Sequence, residues 1–335
     1  MSVAESDWAG AIDLLRTHDE VTLVCHVSPD GDALGSMLAL GIALRESGTK
    51  VTASWGSEPF EVPASYTSLP GLDLLVPAAE VASAPALLIT FDTGSEDRLG
   101  SLADRVAAAD QVLVLDHHVT NTRFGDVNLV DEAAAATAVV VVELLDRMGL
   151  ELTAQIAAPV YTGLITDTGS FKYAATTPAV HELAARLLAT GIQHERISRH
   201  IWDTAPFAYV QLLGTVCTRA VIERDAVGGL GLVWTTVTGG DLERFGLGLA
   251  DVEGVIDSVR VAQEAEVAAV LKTDPADGLL KVSTRSKGAV DVGAVCAALG
   301  GGGHRFAAGF TSHDDCATTL DRLRAELADA PHLPA

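Results

Sequence analysis

Three apolar runs end in the same kind of chemistry, and that repetition limits the folds open to this chain. VTLVCHV (21–27) runs on into Asp30 and Asp32, ALLITFD (86–92) stops at Asp92, and QVLVLD (111–116) stops at Asp116 before His117 and His118. Unbroken Val/Leu/Ile strands, without the alternation of a half-solvated sheet, belong inside a parallel sheet covered on both faces. The intervening segments agree. ALGSMLALGIALRESG reads as a helix, KVTASW (50–55) as a second strand, and roughly 133–149 and 153–166 as helices. In such sheets ligands gather beyond the carboxyl ends of the strands. His26, Asp30, Asp32, Asp92, Asp116, His117 and His118 are therefore expected along one edge. Asp167, in ITDTGS at the end of the last helical stretch, is expected to join them.

The pattern changes past about residue 190. Residues 191–215 read as helical with a polar face. The remainder reads as strands (VCTRAVIE, GLGLVWTTV, AEVAAVLKT, LLKVSTRS) with helical pieces near 251–261 and 290–298. A length of 335 residues suits two domains. The expectation is an α/β protein: a parallel-sheet domain over 1–190, a helical connector over 191–210, and a smaller α/β domain over 211–335.

A formal net charge of −23 repels long polyanions, so duplex DNA is an unexpected partner. The longest apolar run, 133–145, is too short to span a bilayer and is broken by Thr137 and Glu143. No membrane association is expected. The N-terminus lacks the basic-then-apolar pattern of a secretion signal, and four scattered cysteines form no CxxC pair. The cytoplasm is the expected compartment.

Several carboxylates meeting in one place need cations, because unpaired buried charges cost several kcal/mol each. Carboxylate plus imidazole without thiolate suits Mn²⁺ or Mg²⁺ better than structural zinc. Six candidate ligands exceed what one such ion needs. Two ions about 3.5–4 Å apart would activate water and clamp the oxygens of a phosphoryl displacement. Each residue also has a local reading. Asp30 and Asp32 suit helix caps, His26 a hydrogen-bonded core histidine, and the two Asp-Thr-Gly stretches turns. GGGGH at 300–304 suits either a phosphate cradle of backbone N–H groups from Gly301, Gly302 and Gly303, with His304 and Arg305 adding donors, or a tight turn. Among only 22 basic residues, Arg285 is the leading candidate for a bidentate phosphate contact. Arg260 suits substrate contact or a helix C-terminus, and Arg98 substrate contact or a surface ion pair.

HVSPDGDALGS, FDTGS, LDHH and TDTGS, in that order and spacing, resemble the four motifs of the DHH phosphoesterase superfamily. GGGGHRFAAGF (300–310) resembles the glycine-rich motif of its associated C-terminal domain. The resemblance covers about 15 to about 325. It is closest to the bacterial branch of nano-RNases, which also remove the 3′-phosphate of pAp and in some cases act on cyclic di-AMP or its linear product pApA. The resemblance implies one metal held by His26, Asp30 and Asp92. It implies another held by Asp32, Asp92, His117 and Asp167, with Asp92 bridging. It also implies that His118 faces the substrate phosphate and helps protonate the leaving oxygen, while Asp116 orients an imidazole. The expected protein is a phosphoesterase using two Mn²⁺, with Mg²⁺ as the alternative, and its expected partners are short RNA, dinucleotides or nucleotides. The second domain would bind the rest of the nucleotide, and domain closure over the cleft would limit its length. A homodimer is expected on the resemblance alone. Two other readings use the same residues. One is an inorganic pyrophosphatase of the superfamily. The other is a non-catalytic sensor of a cyclic dinucleotide or tRNA end, since the associated domain resembles part of alanyl-tRNA synthetases.

Overall fold

The computed structural model describes residues 3–333. The chain divides into two compact units between Thr204 and Ala205.

The first unit carries a five-stranded sheet in the order β2-β1-β3-β4-β5, with every pair parallel. Its strands are β1 (Glu20–Cys25), β2 (Lys50–Trp55), β3 (Leu87–Phe91), β4 (Gln111–Asp116) and β5 (Val127–Val130). The helices are α1 (Glu5–Thr17), α2 (Gly31–Glu46), α3 (Asp104–Ala108), α4 (Thr137–Met148), α5 (Ala154–Asp167), α6 (Pro178–Ala189) and α7 (His194–Trp202). The apolar runs are buried on both faces, as their lack of alternation requires. Leu23, Cys25, Ile89, Phe91, Leu113 and Leu115 face a core shared with α2, α4 and α5. Val24, Leu88, Val112 and Val114 face a smaller one with Leu99, Leu102 and Val106. The strand β5 was not anticipated. Only four residues long and set behind a Gly-Asp turn, it offers too little pattern to read.

Register places the chemistry. Cys25 pairs with Phe91, and Phe91 with Leu115, so His26, Asp92 and Asp116 leave adjacent strands at one level. Asp92 has a left-handed backbone, φ 53°, a conformation Asp tolerates better than most non-glycine residues. Its N–H still bonds the Leu115 carbonyl at 3.0 Å.

The second unit is built on a six-stranded mixed sheet in the order β10-β11-β9-β8-β7-β6, in which only β7 and β8 run parallel. In chain order its elements are α8 (Phe207–Thr218), β6 (Val221–Glu223), β7 (Leu232–Val237), α9 (Gly239–Phe245), α10 (Val255–Val259), β8 (Val267–Thr273), β9 (Leu280–Ser286), α11 (Val292–Ala298), β10 (Gly302–His304), β11 (Ala307–Ser312) and α12 (Cys316–Asp329). Three expectations change here. The start of VCTRAVIE, read as strand, ends helix α8. The expected connector consists of α7, a break at 203–206 and the first turn of α8. Of the GGGGH stretch, read as a phosphate cradle or a tight turn, Gly302–His304 form a short strand hairpinned to β11. Its glycines are required by packing: a Cβ on Gly301 would collide with the Gly309 carbonyl, and Gly303 sits at φ 137° with a Cβ position 2.7 Å from the Ala307 carbonyl. No helix among the described residues is long and apolar enough to cross a membrane.

Candidate metal centre

The site forms where β1, β3 and β4 end and where α2 and α4 begin and α5 ends. It is walled by close helix packing. A Cβ on Gly35 of α2 would strike the Pro159 carbonyl of α5, and a Cβ on Gly163 would lie 2.6 Å from Asp32 Oδ1. Two backbones therefore touch, and the missing side chain of Gly163 leaves room for the Asp32 carboxylate.

His26 donates Nδ1–H to the Val27 carbonyl at 2.8 Å, which turns Nε2 inward, 3.5 Å from Asp92 Oδ2 and 3.8 Å from Asp30 Oδ1. His117 does the same on the other side. Its Nδ1–H donates to the Ala134 carbonyl at 3.2 Å, and Nε2 lies 3.1 Å from Asp167 Oδ2, 3.6 Å from Asp92 Oδ1 and 3.9 Å from Asp32 Oδ2. Asp92 thus directs one oxygen to each histidine. Two sets of ligand atoms result, His26/Asp30/Asp92 and Asp32/Asp92/His117, each gathered within 4.8 Å. Asp167 attaches to the second through His117.

His118 is oriented differently. Its Nδ1–H donates to Asp116 Oδ1 at 2.7 Å. Asp116 Oδ2 in turn accepts from Asn121 Nδ2 at 2.6 Å, and Asn121 Nδ2 also donates to the Thr93 carbonyl at 3.0 Å. Asp116 is fully buried and bonded to His118, and with His118 and Asp92 it forms a further group of ligand atoms within 4.8 Å of one another.

Both local and functional readings of the acids hold at once. Asp30 caps α2, accepting from the N–H groups of Asp32 and Ala33. Asp32 caps a different helix: the N–H groups of Thr137 and Ala138, at the start of α4, donate to Oδ2 at 2.5 Å and Oδ1 at 2.9 Å. The helix dipole adds its positive end. Ser36 Oγ also donates to Asp32 Oδ1, and Thr137 Oγ1 donates to Asp92 Oδ1 at 3.0 Å.

The electrostatics follow from crowding. Burial and the neighbouring Asp92 and Asp167 charges push the Asp32 carboxyl well above the usual range. Burial, with Asp92 and Asp30, pushes Asp167 up to about 6. Burial also opposes ionisation of Asp92, but His26, His118 and His117 outweigh it and hold that carboxyl far below the usual range. Burial disfavours a charged His26, yet Asp30 and Asp92 raise its pKa to about 10. His117 is raised well above 6.5, against burial, chiefly by Asp167. Against burial, Asp116 and then Asp92 raise His118. The acids around the three histidines favour the charged form of each. Inward imidazole nitrogens among acids, with no thiolate, suit hard or borderline divalent ions.

Sequence reasoning did not single out Thr137, Ser36, Asn121 or Tyr66. Thr137 was read only as a break in an apolar run. Tyr66 comes from a remote turn, and its hydroxyl is pushed up by burial and by the nearby charges of Asp30 and Asp167.

Of the expected substrate contacts, Arg98 is exposed beyond β3, in the first unit. The others lie in the second unit. Arg285 is half-buried on β9, opposite Ala307 and Ala268, and donates to its neighbour's carbonyl, Thr284, at 3.0 Å. Arg305 is exposed and pairs with Asp291 at 3.3 Å, and Arg260 pairs with Asp257 at 3.6 Å. Gly301, Gly303 and His304 are exposed and Gly302 half-buried along the β10 edge.

Comparison with known proteins fits this arrangement. The DHH family, N-terminal domain, matches residues 20–164 and the DHHA1 domain matches residues 242–330. The bifunctional oligoribonuclease and PAP phosphatase NrnA of Thermus thermophilus is 36% identical over 318 residues, which is 93% of this chain and 92% of that protein. An exopolyphosphatase-related protein from Bacteroides fragilis has the same fold, with a TM-score of 0.86 at 22% identity over 98% of this chain and 97% of its own. RecJ from Thermus thermophilus in complex with Mn²⁺ is a more distant fold relative, TM-score 0.55 at 14% identity, covering 99% of this chain and 56% of its own. Two family domains in order, and a relative matched along nearly its whole length, fix the kinship: the chain belongs to the DHH family of phosphoesterases and carries a DHHA1 domain in its C-terminal part.

Proposed function

We propose that this protein hydrolyses short oligoribonucleotides and dinucleotides such as pApA to mononucleotides, and pAp to AMP, using two Mn²⁺ ions. The observation that carries the reading is Asp92, a buried carboxylate whose two oxygens face two histidines from opposite sides. His26, Asp30 and Asp92 would hold one ion, and Asp32, Asp92, His117 and Asp167 the other, with Mg²⁺ as the alternative. When bound, the ions supply Lewis acidity and an activated water. The chain's own residues do the rest. His118, held at Nδ1 by Asp116, delivers a proton from its other nitrogen to the oxygen that leaves as the P–O bond breaks. Asp116 holds the imidazole upright and stabilises its charged form, and Asn121 keeps Asp116 in place. The DHHA1 unit is the part that recognises the rest of the nucleotide, through Arg285 above all. Four free cysteines support a reducing, cytoplasmic setting.

The test is a turnover panel of pApA, pAp, cyclic di-AMP and an RNA dimer, with Mn²⁺ and with EDTA, on the wild type and on Arg285→Ala. Mn²⁺-dependent cleavage of pApA and pAp is expected, and Arg285→Ala should raise the KM for dinucleotides more than the KM for a small generic phosphodiester assayed alongside them. Intact substrates in every tube would sink the proposal, and equal KM effects would remove Arg285 from it.

A further inference from the structure

The second set of ligands joins two acids that repel each other. Asp32 is fully buried and Asp92 nearly so. Neither is ion-paired to a lysine or arginine among the described residues. Besides His117, which lies near both, one residue hydrogen-bonds both. Thr137, fully buried at the first position of α4, gives its backbone N–H to Asp32 Oδ2 and its hydroxyl to Asp92 Oδ1.

A carboxylate has about four lone-pair positions. On Asp32, Ser36 and Ala138 occupy Oδ1, and Thr137 occupies one position of Oδ2. The remaining position is on Oδ2, the oxygen 3.9 Å from His117 Nε2. On Asp92 the Thr137 hydroxyl takes one position of Oδ1 and leaves the other toward His117. Resting on the two-ion reading above, we infer that Thr137 is a positioning residue: it sets the spacing of Asp32 and Asp92 so that their unused lone pairs and His117 Nε2 converge on one ion. Its rigidity comes from α4, whose N-terminal turn packs against Gly163, where an added Cβ would lie 2.9 Å from Ala138 Cβ. The hydroxyl adds what the helix alone cannot, a tie from α4 to the end of β3.

Thr137→Val removes the hydroxyl while keeping shape and the backbone N–H, and Thr137→Ser keeps the hydroxyl. The experiment titrates metal-free protein with Mn²⁺ and follows free ion by electron paramagnetic resonance. Two ions should bind the wild type. The valine variant should keep the first and bind the second about 10–100-fold more weakly, and the serine variant should bind like the wild type. At saturating Mn²⁺ the substrate KM should be unchanged by either. Wild-type binding of both ions by Thr137→Val, or equal weakening in Thr137→Ser, would overturn the role of the hydroxyl. A wild type that binds fewer than two ions would instead fail the two-ion reading and bring this inference down with it.

Discussion

Both units bury carboxylates, and they neutralise them in opposite ways. In the second unit Asp241 accepts two bonds from the Arg219 guanidinium, at 2.8 and 2.6 Å, and closes a capping box with Thr238 at the start of α9. Burial opposes its ionisation, but Arg219 and Thr238 bring its pKa down to about 2. In the first unit the ion-pair partners of Asp32, Asp92 and Asp167, among the described residues, are histidines. An arginine never gives up its charge, so Asp241 is settled for good. An imidazolium can release its proton and present a lone pair instead, so on the proposed function the edge acids would keep a place for an exchangeable cation.

The largest test of this contrast is Asp92→Ala. It should cut Mn²⁺-dependent hydrolysis by about 10³-fold or more in an initial-rate assay. Full activity with two ions bound would show that the edge acids are as structural as Asp241. Next comes Arg219→Ala, which should lower the stability of the second unit by about 2–3 kcal/mol in denaturant melts. Mn²⁺ binding and turnover per folded molecule should stay intact, and a loss of binding without a loss of stability would erase the distinction. The smallest effect is on pH. The His26 pKa of about 10 lies above its unfolded value, so in metal-free protein its stabilising contribution is whole below about pH 6.5 and fades as pH rises through about 10. Asp241, depressed to about 2, contributes above about pH 3.8 and loses its contribution as pH falls toward 2. On the proposed ligand set Mn²⁺ would displace the His26 proton, so apparent affinity should climb up to about tenfold per pH unit above neutrality. Calorimetric titration at three pH values would show it, and a flat profile would mean that His26 holds no ion.

The edge was legible in the sequence because strands buried on both faces leave unbroken Val/Leu/Ile runs, and a parallel sheet then sends their ends one way. Asp167 was legible for a different reason: it repeats the Asp-Thr-Gly of Asp92 at a helix end. Thr137 was not, because its role depends on two contacts 45 and 105 residues away in sequence. The second unit was read less well. Helix α12 did carry a signal, with Asp315 as a cap and Leu320, Leu323 and Leu327 at helical spacing. In α9 the glycines of TGGD masked the capping box, and in β10 the glycines hid a strand whose reason for glycine is the hairpin beside it.

The contact of α2 with α5 carries a lesson for anyone engineering this chain. Exchanging helical glycine for alanine is a standard route to a hardier protein, since it restrains the unfolded chain. At Gly35 and Gly163 that recipe would instead wedge two helices apart at the point where their touching backbones frame the acid-lined edge. The protein has left that increment of robustness unused, and the space it keeps is the seat of a carboxylate.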